Sequence, residues 1–193
     1  GSNSNVVLNT LYKYTPLQSS FAINNVALVG GRPRTMSLKD IIRVFVDFRH
    51  DVIVRRTRFE LEKARKRAHI LEGLIKAIDV IDRIIEIVRS SRSVDEAKGR
   101  LIEEFGFSDL QATAIVEMKI RQLTGLEREK LQAEYDELAK FIAYCEDVLA
   151  STEKQMEIIK NETMELKAKY GDRRRSEIVP NADEFNPGDF YAD

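Results

Sequence analysis

The sequence predicts a mainly α chain: a long antiparallel coiled-coil hairpin tipped by a small helical head, with a small β-hairpin near the N-terminus. Three observations lead there. From Leu38 there is no Gly until Gly73 and no Pro until Pro180, so backbone-breaking residues are scarce over most of the chain. Residues 38–78 and 127–170 carry apolar positions at steps of three and four among many charges, the pattern of helices with one buried face. Between them lies a short stretch, SDLQATAIVEMKIRQLTGL at 108–126, apolar on two sides.

The totals agree. Of 193 residues 33% are charged and 8% aromatic, with no Trp, 4 Pro and 9 Gly. Such a balance suits helix and a large solvated surface. The net charge of -1 gives no global argument for a nucleic-acid partner, so any electrostatic case rests on local patches. The lone Cys145 cannot form an internal disulfide, which fits a reducing, cytoplasmic setting. No apolar run is long enough to span a membrane and no signal peptide is visible. The chain opens GSNSN, without Met; Gly1 and Ser2 read as a cloning scar and the whole as an excised piece of a longer protein.

In order, residues 5–14 read as a short helix that Pro16 ends. Residues 21–29 are rich in β-formers; Gly30-Gly31 supplies a turn, and residues 32–36 return as a second strand. Ser37 and Asp40 form a capping-box-like pair opening the first arm, a helix to about Ala77. Its first stripe is Ile41, Phe45, Phe48 and Val52. Its second is Val54, Thr57, Leu61, Ala64, Ala68, Leu71, Ile75 and Ile78, and the change implies a change of neighbours. Residues 83–89 form a further short helix. Ser93 with Glu96 caps the next, which Gly106 ends; Ser108 with Gln111 caps the head helix. After Thr124-Gly125, the positions Leu131, Tyr135, Leu138, Ile142, Cys145, Leu149, Thr152, Met156, Ile159, Thr163, Leu166 and Tyr170 make an unbroken heptad seam. That arm would be roughly 60–65 Å long, with a kink near Ala150 allowed because Ser151 can cap a restart. Gly171 stops it.

The bases Arg49, Arg55, Arg56, Arg58, Lys63, Arg65, Lys66 and Arg67 have a Glu-rich return arm to pair with, which favours antiparallel intrachain pairing. A face that binds DNA phosphates is the alternative. Arg173, Arg174 and Arg175, like Arg32 and Arg34, are short basic signals of the same kind. The head helix carries two stripes, Leu110, Ala114, Ile115 and Met118 against Ala112, Val116, Ile120 and Leu123. One can pack on the chain's own helices; the other then faces outward, as interfaces do. Leu110, Gln111, Ala114, Ile115, Met118 and Gln122 are the expected contact with a second copy, and the opposite stripe is the alternative. No catalytic residue and no metal ligand is assigned: His50 and His69 lack partners at metal spacing, and Cys145 falls on the seam.

The strings NNVALVGGRPRTMSLKDII, VRRTRFELEKARKRAHILEGL, QATAIVEMKIRQLTGLEREKL and YGDRRRSEI resemble the A subunit of bacterial DNA gyrase, the breakage–reunion subunit of type IIA topoisomerases, in family order across nearly the whole chain. Topoisomerase IV shares the architecture; the RQLTGLE string is more similar to gyrase. The resemblance implies a tower remnant at 1–36, a first coiled-coil arm at 37–92, an exit-gate head at 93–126, a returning arm at 127–170 and an exit linker at 171–193. It implies a homodimer joined through the head, supporting ATP-dependent strand passage and supercoiling in the full enzyme with DNA and the gyrase B subunit. Arg32, Arg34, Arg173 and Arg174 are the possible DNA contacts. The winged helix and its catalytic tyrosine are missing from the sequence, so this chain by itself is not expected to cleave DNA. ATP and Mg2+ would be used through the partner subunit. The stretch between Phe105 and Ser108 is short compared with family members whose heads carry an insertion.

Overall fold

The computed structural model describes residues 3–119 and 125–178. The chain divides into two compact units, Gly1–Phe45 with Met164–Asp193, and Val46–Thr163. In the first, Asn3 caps helix α1 (Ser4–Tyr14) by accepting from the Asn5 amide, and Thr15 turns extended before Pro16. Strands β1 (Val26–Val29) and β2 (Arg32–Thr35) pair antiparallel, with Val29 opposite Arg32. Gly30 and Gly31 both have positive φ, 57° and 76°, which the two-residue turn requires and side-chain-bearing residues resist. The first strand is shorter than its β-forming composition suggests: the Met36 amide still donates to the Asn25 carbonyl, but residues 21–24 have no partner strand.

Helix α2 (Leu38–Asp79) follows, opened by reciprocal Ser37–Asp40 bonds: the Asp40 amide donates to Ser37 Oγ, and the Ser37 amide to Asp40 Oδ2. In the second unit come α3 (Ile81–Ser90), α4 (Val94–Phe105), α5 (Asp109–Val116), α6 (Gly125–Ala150) and the start of α7 (Thr152–Tyr170). Side-chain pairs fix the hairpin's direction. Arg128 meets Asp79, Arg67 meets Glu134, Arg65 meets Glu146, and Arg56 and Arg49 share Glu162. As one partner's number falls the other's rises, so the arms run antiparallel, as expected. Four of the first arm's arginines are thus matched to return-arm glutamates.

The stripe along α2 is buried where the sequence places it at Thr57, Leu61, Ala64, Ala68 and Leu71. Beyond that, Leu74 and Ala77 are buried instead of Ile75 and Ile78, because α2 there turns a different face to the head core. Phe45 and Phe48 of the first stripe stay exposed.

The heptad seam is not unbroken. α6 stops at Ala150 and α7 starts at Thr152, with Ser151 Oγ accepting from the Lys154 amide as a restart cap. The buried line departs from the expected seam by one residue at alternate positions, on both sides of the break. Cys145 and Val148 are buried before it, and Gln155 and Ile159 after it, while Thr152 and Met156, expected on the seam, are exposed. Val148 takes the place expected for Leu149, and Gln155, one heptad on, that of Met156, so the same offset runs through the break.

The head is built round Leu74, Ala77, Ile84, Ile87, Leu101, Phe107, Ala112 and Ile115, a core drawn from α2, α3, α4, α5 and the α4–α5 connection. Ser93 caps α4 and Gly106, at φ 70°, ends it; this lets the chain turn directly into Phe107 and the Ser108 cap of α5. The head helix is shorter than expected. It ends at Val116, and Glu117 is already a turn. With only two turns it cannot carry two long stripes. Ile120, Gln122 and Leu123, placed on or beside those stripes by the sequence, lie outside the described residues.

Candidate functional site on the helical head

The head is joined to the first arm by a compact polar knot. Ser108 and Gln111 form a capping box: the Gln111 amide donates to Ser108 Oγ and the Ser108 amide to Gln111 Oε1. Gln111 Nε2 then crosses to α2 and donates to the His69 carbonyl at 2.8 Å, while His69 Nε2 lies 2.7 Å from Ser108 Oγ. The close approach needs Gly73. A Cβ there would stand 2.6 Å from Gln111 Cγ and 2.8 Å from its Cβ. Lys76 adds a bond to the Phe105 carbonyl and sits over the Phe107 ring.

This knot places the head residues. Gln111 and Ile115, expected at the contact with a second copy, are 8% and 3% exposed. Gln111 serves the knot and does not present its side chain outward, while Ile115 packs in the core and reaches the surface only as part of the groove lining. Leu110 is exposed, and Ala114 and Met118 are half-buried against the core. Of the opposite stripe, Ala112 is fully buried and Val116 partly so. The short helix expected at 83–89 is α3, but the sequence reading overlooked its outward face. Its inner face buries Ile84 and Ile87, yet Ile85 and Val88 remain exposed. With Ile81, Ile115, Val116 and Met118 they line an apolar groove of about 440 Å³ between α3 and α5. The signal was present: RIIEIV holds more apolar side chains than one buried face can use.

Arg32 and Arg34 lie on the exposed β2, and Arg173 and Arg174 follow α7, also exposed, with Arg174 Nε donating to the Ser176 carbonyl. His50 and His69 are bonded to Gln155 and Ser108. Cys145 is buried, and burial pushes its thiol above the ordinary value. Among the described residues no three His, Cys, Asp or Glu group to hold a metal ion.

Guanidinium hydrogen bonds shift the interhelical carboxyl groups. Arg56, with Arg49, holds Glu162 below the ordinary 4.5, and Arg67 does the same for Glu134. In the head Arg83 lowers Glu104. These groups bind protons more weakly folded than unfolded, so their stabilisation is complete above the unfolded value and lost as pH falls through the folded one. Thermal melts are expected to be flat from pH 7 to about 5 and to drop progressively below about 4.5. Glu162→Gln should flatten that acid limb; equal slopes in both proteins would show that the pair does not govern it.

Fold and surface together define a helical-hairpin scaffold whose head carries an outward apolar groove. The chain belongs to the family of DNA gyrase and topoisomerase IV A subunits, whose pattern it matches over residues 1–164. It is 51% identical over 177 residues to the DNA gyrase A subunit of Clostridium acetobutylicum, a match that covers 92% of this chain and 21% of that protein. The gyrase A subunit of Treponema pallidum is 47% identical over 96% of the chain and 23% of its own length. That of Deinococcus deserti is 44% identical over all of the chain and 24% of its own length. The chain thus spans about a quarter or less of the relatives it matches. No helix among the described residues is long and apolar enough to cross a membrane.

Proposed function

We propose that this chain is the dimerisation and exit-gate module of a gyrase-type A subunit, working as a homodimer joined through its head. The observation that carries the reading is the apolar groove between α3 and α5, open on a head that already has a complete core of its own. An apolar surface of this kind, raised on a polar hairpin, suits a two-fold contact in which each copy offers the same patch. Leu110, Ala114 and Met118 stay in the proposed contact; Ile85, Val88 and Val116 join them, and Gln111 and Ile115 support it from behind.

The module acts mechanically in this reading. It holds two protomers together while the rest of the enzyme cuts and passes DNA, and it opens to release the passed duplex. Strand cleavage, ATP and Mg2+ belong to other parts of the cytoplasmic enzyme, among them the gyrase B subunit. The exposed Arg32, Arg34, Arg173 and Arg174 are assigned to DNA contact in the full-length protein.

Light scattering over a concentration series tests the dimer. The 22.2 kDa chain is expected at twice that mass. Met118→Glu and Val88→Glu each place an unpaired carboxylate in the contact and are expected to weaken dimerisation by a factor of ~100 or more. A wild-type monomer at every concentration, or a dimer indifferent to both substitutions, would overturn the reading.

A further inference from the structure

The return limb carries a device that neither the family membership nor the dimer reading uses. Backbone helicity is lost for one residue, Ser151, between α6 and α7. The last carbonyls of a helix lack their regular partners, and that of Val148, buried here, keeps only a long bond from the Ser151 amide at 3.3 Å. Val148 is 1% exposed. One side chain from the next helix supplies what is missing. Gln155, 5% exposed, donates from Nε2 to the Val148 carbonyl at 2.8 Å and to that of Leu149 at 3.3 Å. Its amide nitrogen being so occupied, Oε1 is the acceptor, and His50 Nε2 of α2 donates to it at 2.6 Å. A single buried amide thus ties together the end of α6, the start of α7 and the opposite arm. On the exposed side Lys154 reaches back across the break to Asp147.

Each helix also has its own attachment to α2. Glu134 and Glu146 hold α6 through Arg67 and Arg65, and Glu162 holds α7 through Arg56 and Arg49. These are exposed or half-exposed pairs on long side chains, which tolerate movement. The backbone at Ser151 lacks continuous helical bonds, so α6 and α7 are two rods meeting at a joint. We propose that Ser151 is the hinge of the return limb and that Gln155 is the latch that sets its angle. Release of the latch lets the limb bend there while both helices keep their own hydrogen bonds, so the hairpin changes shape without unfolding. The inference rests on the hairpin alone and stands whether or not the head dimerises.

Amide hydrogen exchange on the full chain tests it, comparing wild type, Gln155→Leu and His50→Ala. Leucine fills the same space but removes the Gln155 bonds to the Val148 and Leu149 carbonyls and to His50, leaving Val148 only the long bond from the Ser151 amide. Amides of 151–156 are expected to exchange ~10-fold faster or more in Gln155→Leu, with those of Leu61, Leu71, Leu101 and Ala112 unchanged within about twofold. His50→Ala removes only the cross-arm bond and should raise the same amides by about threefold. Unchanged exchange at 151–156, or a rise spread evenly over all helices, would overturn the latch and leave Gln155 a general contributor to stability. If Gln155→Leu does not fold, His50→Ala decides by the same readout.

Discussion

Gly73→Ala is expected to destabilise the chain by about 2–4 kcal/mol, a large effect for one methyl group, because there is no room for it and the neighbour cannot step aside. The added Cβ would sit 2.6 Å from Gln111 Cγ and 2.8 Å from its Cβ. Those atoms are the root of the side chain, so a change of rotamer does not clear the clash and α5 itself has to move. Moving α5 stretches the bond from Gln111 to the His69 carbonyl and disturbs the Ser108 capping box. For a chain of this size the melting temperature should fall by roughly 5–15 °C. A shift under about 0.5 kcal/mol in denaturant melts would mean that the head can slide on the arm at little cost.

Leu101→Ala should be about as damaging or more so. Leu101 is fully buried in the head core beside Ile87 and Phe107, and the short helices round it have little freedom to close over the gap. Large-to-small changes at such sites cost about 2–5 kcal/mol through lost transfer energy plus the cavity left behind. Phe59→Ala is the matched control: a larger side chain is removed, but at 66% exposed it should change stability by less than about 0.5 kcal/mol. Urea midpoints for the two variants decide the matter. Equal losses would place the core elsewhere.

Much of this was legible from local chemistry. The capping pairs at Ser37, Ser93 and Ser108, the glycine end at Gly106 and the restart at Ser151 are short-range signals, and each marks a helix boundary in the structure. The charge asymmetry of the arms also predicted their pairing. What failed was extrapolation over distance. Twelve seam positions were counted as one series, yet Val148 is buried where Leu149 was expected and Gln155 where Met156 was. A glutamine in the interior defeats a search for apolar periodicity; its bonds to the last carbonyls of α6 and to His50 explain it. Gln111 was misplaced for a related reason. Its capping role was readable, but the second use of its amide, on the His69 carbonyl, depends on a contact 42 residues away in the chain. The outward half of α3 was overlooked because the stretch after Ser108 already looked like the apolar surface.

The order of the cross-arm pairs has a consequence for how the chain finds its fold. The head core joins residues near in sequence, between Leu74 and Ile115, whereas the arm pairs join residues 49, 67, 81, 106 and 113 apart. Closing a loop costs more entropy as it lengthens, but only slowly once an inner loop is already closed. With the head formed first, Asp79 and Arg128 are brought near, and each later pair adds a short length of chain to a loop already tied. The hairpin therefore has a cheap assembly route that starts at the tip and runs down the limbs like a closing zip. Its far end is the last part to be secured and the first to fray.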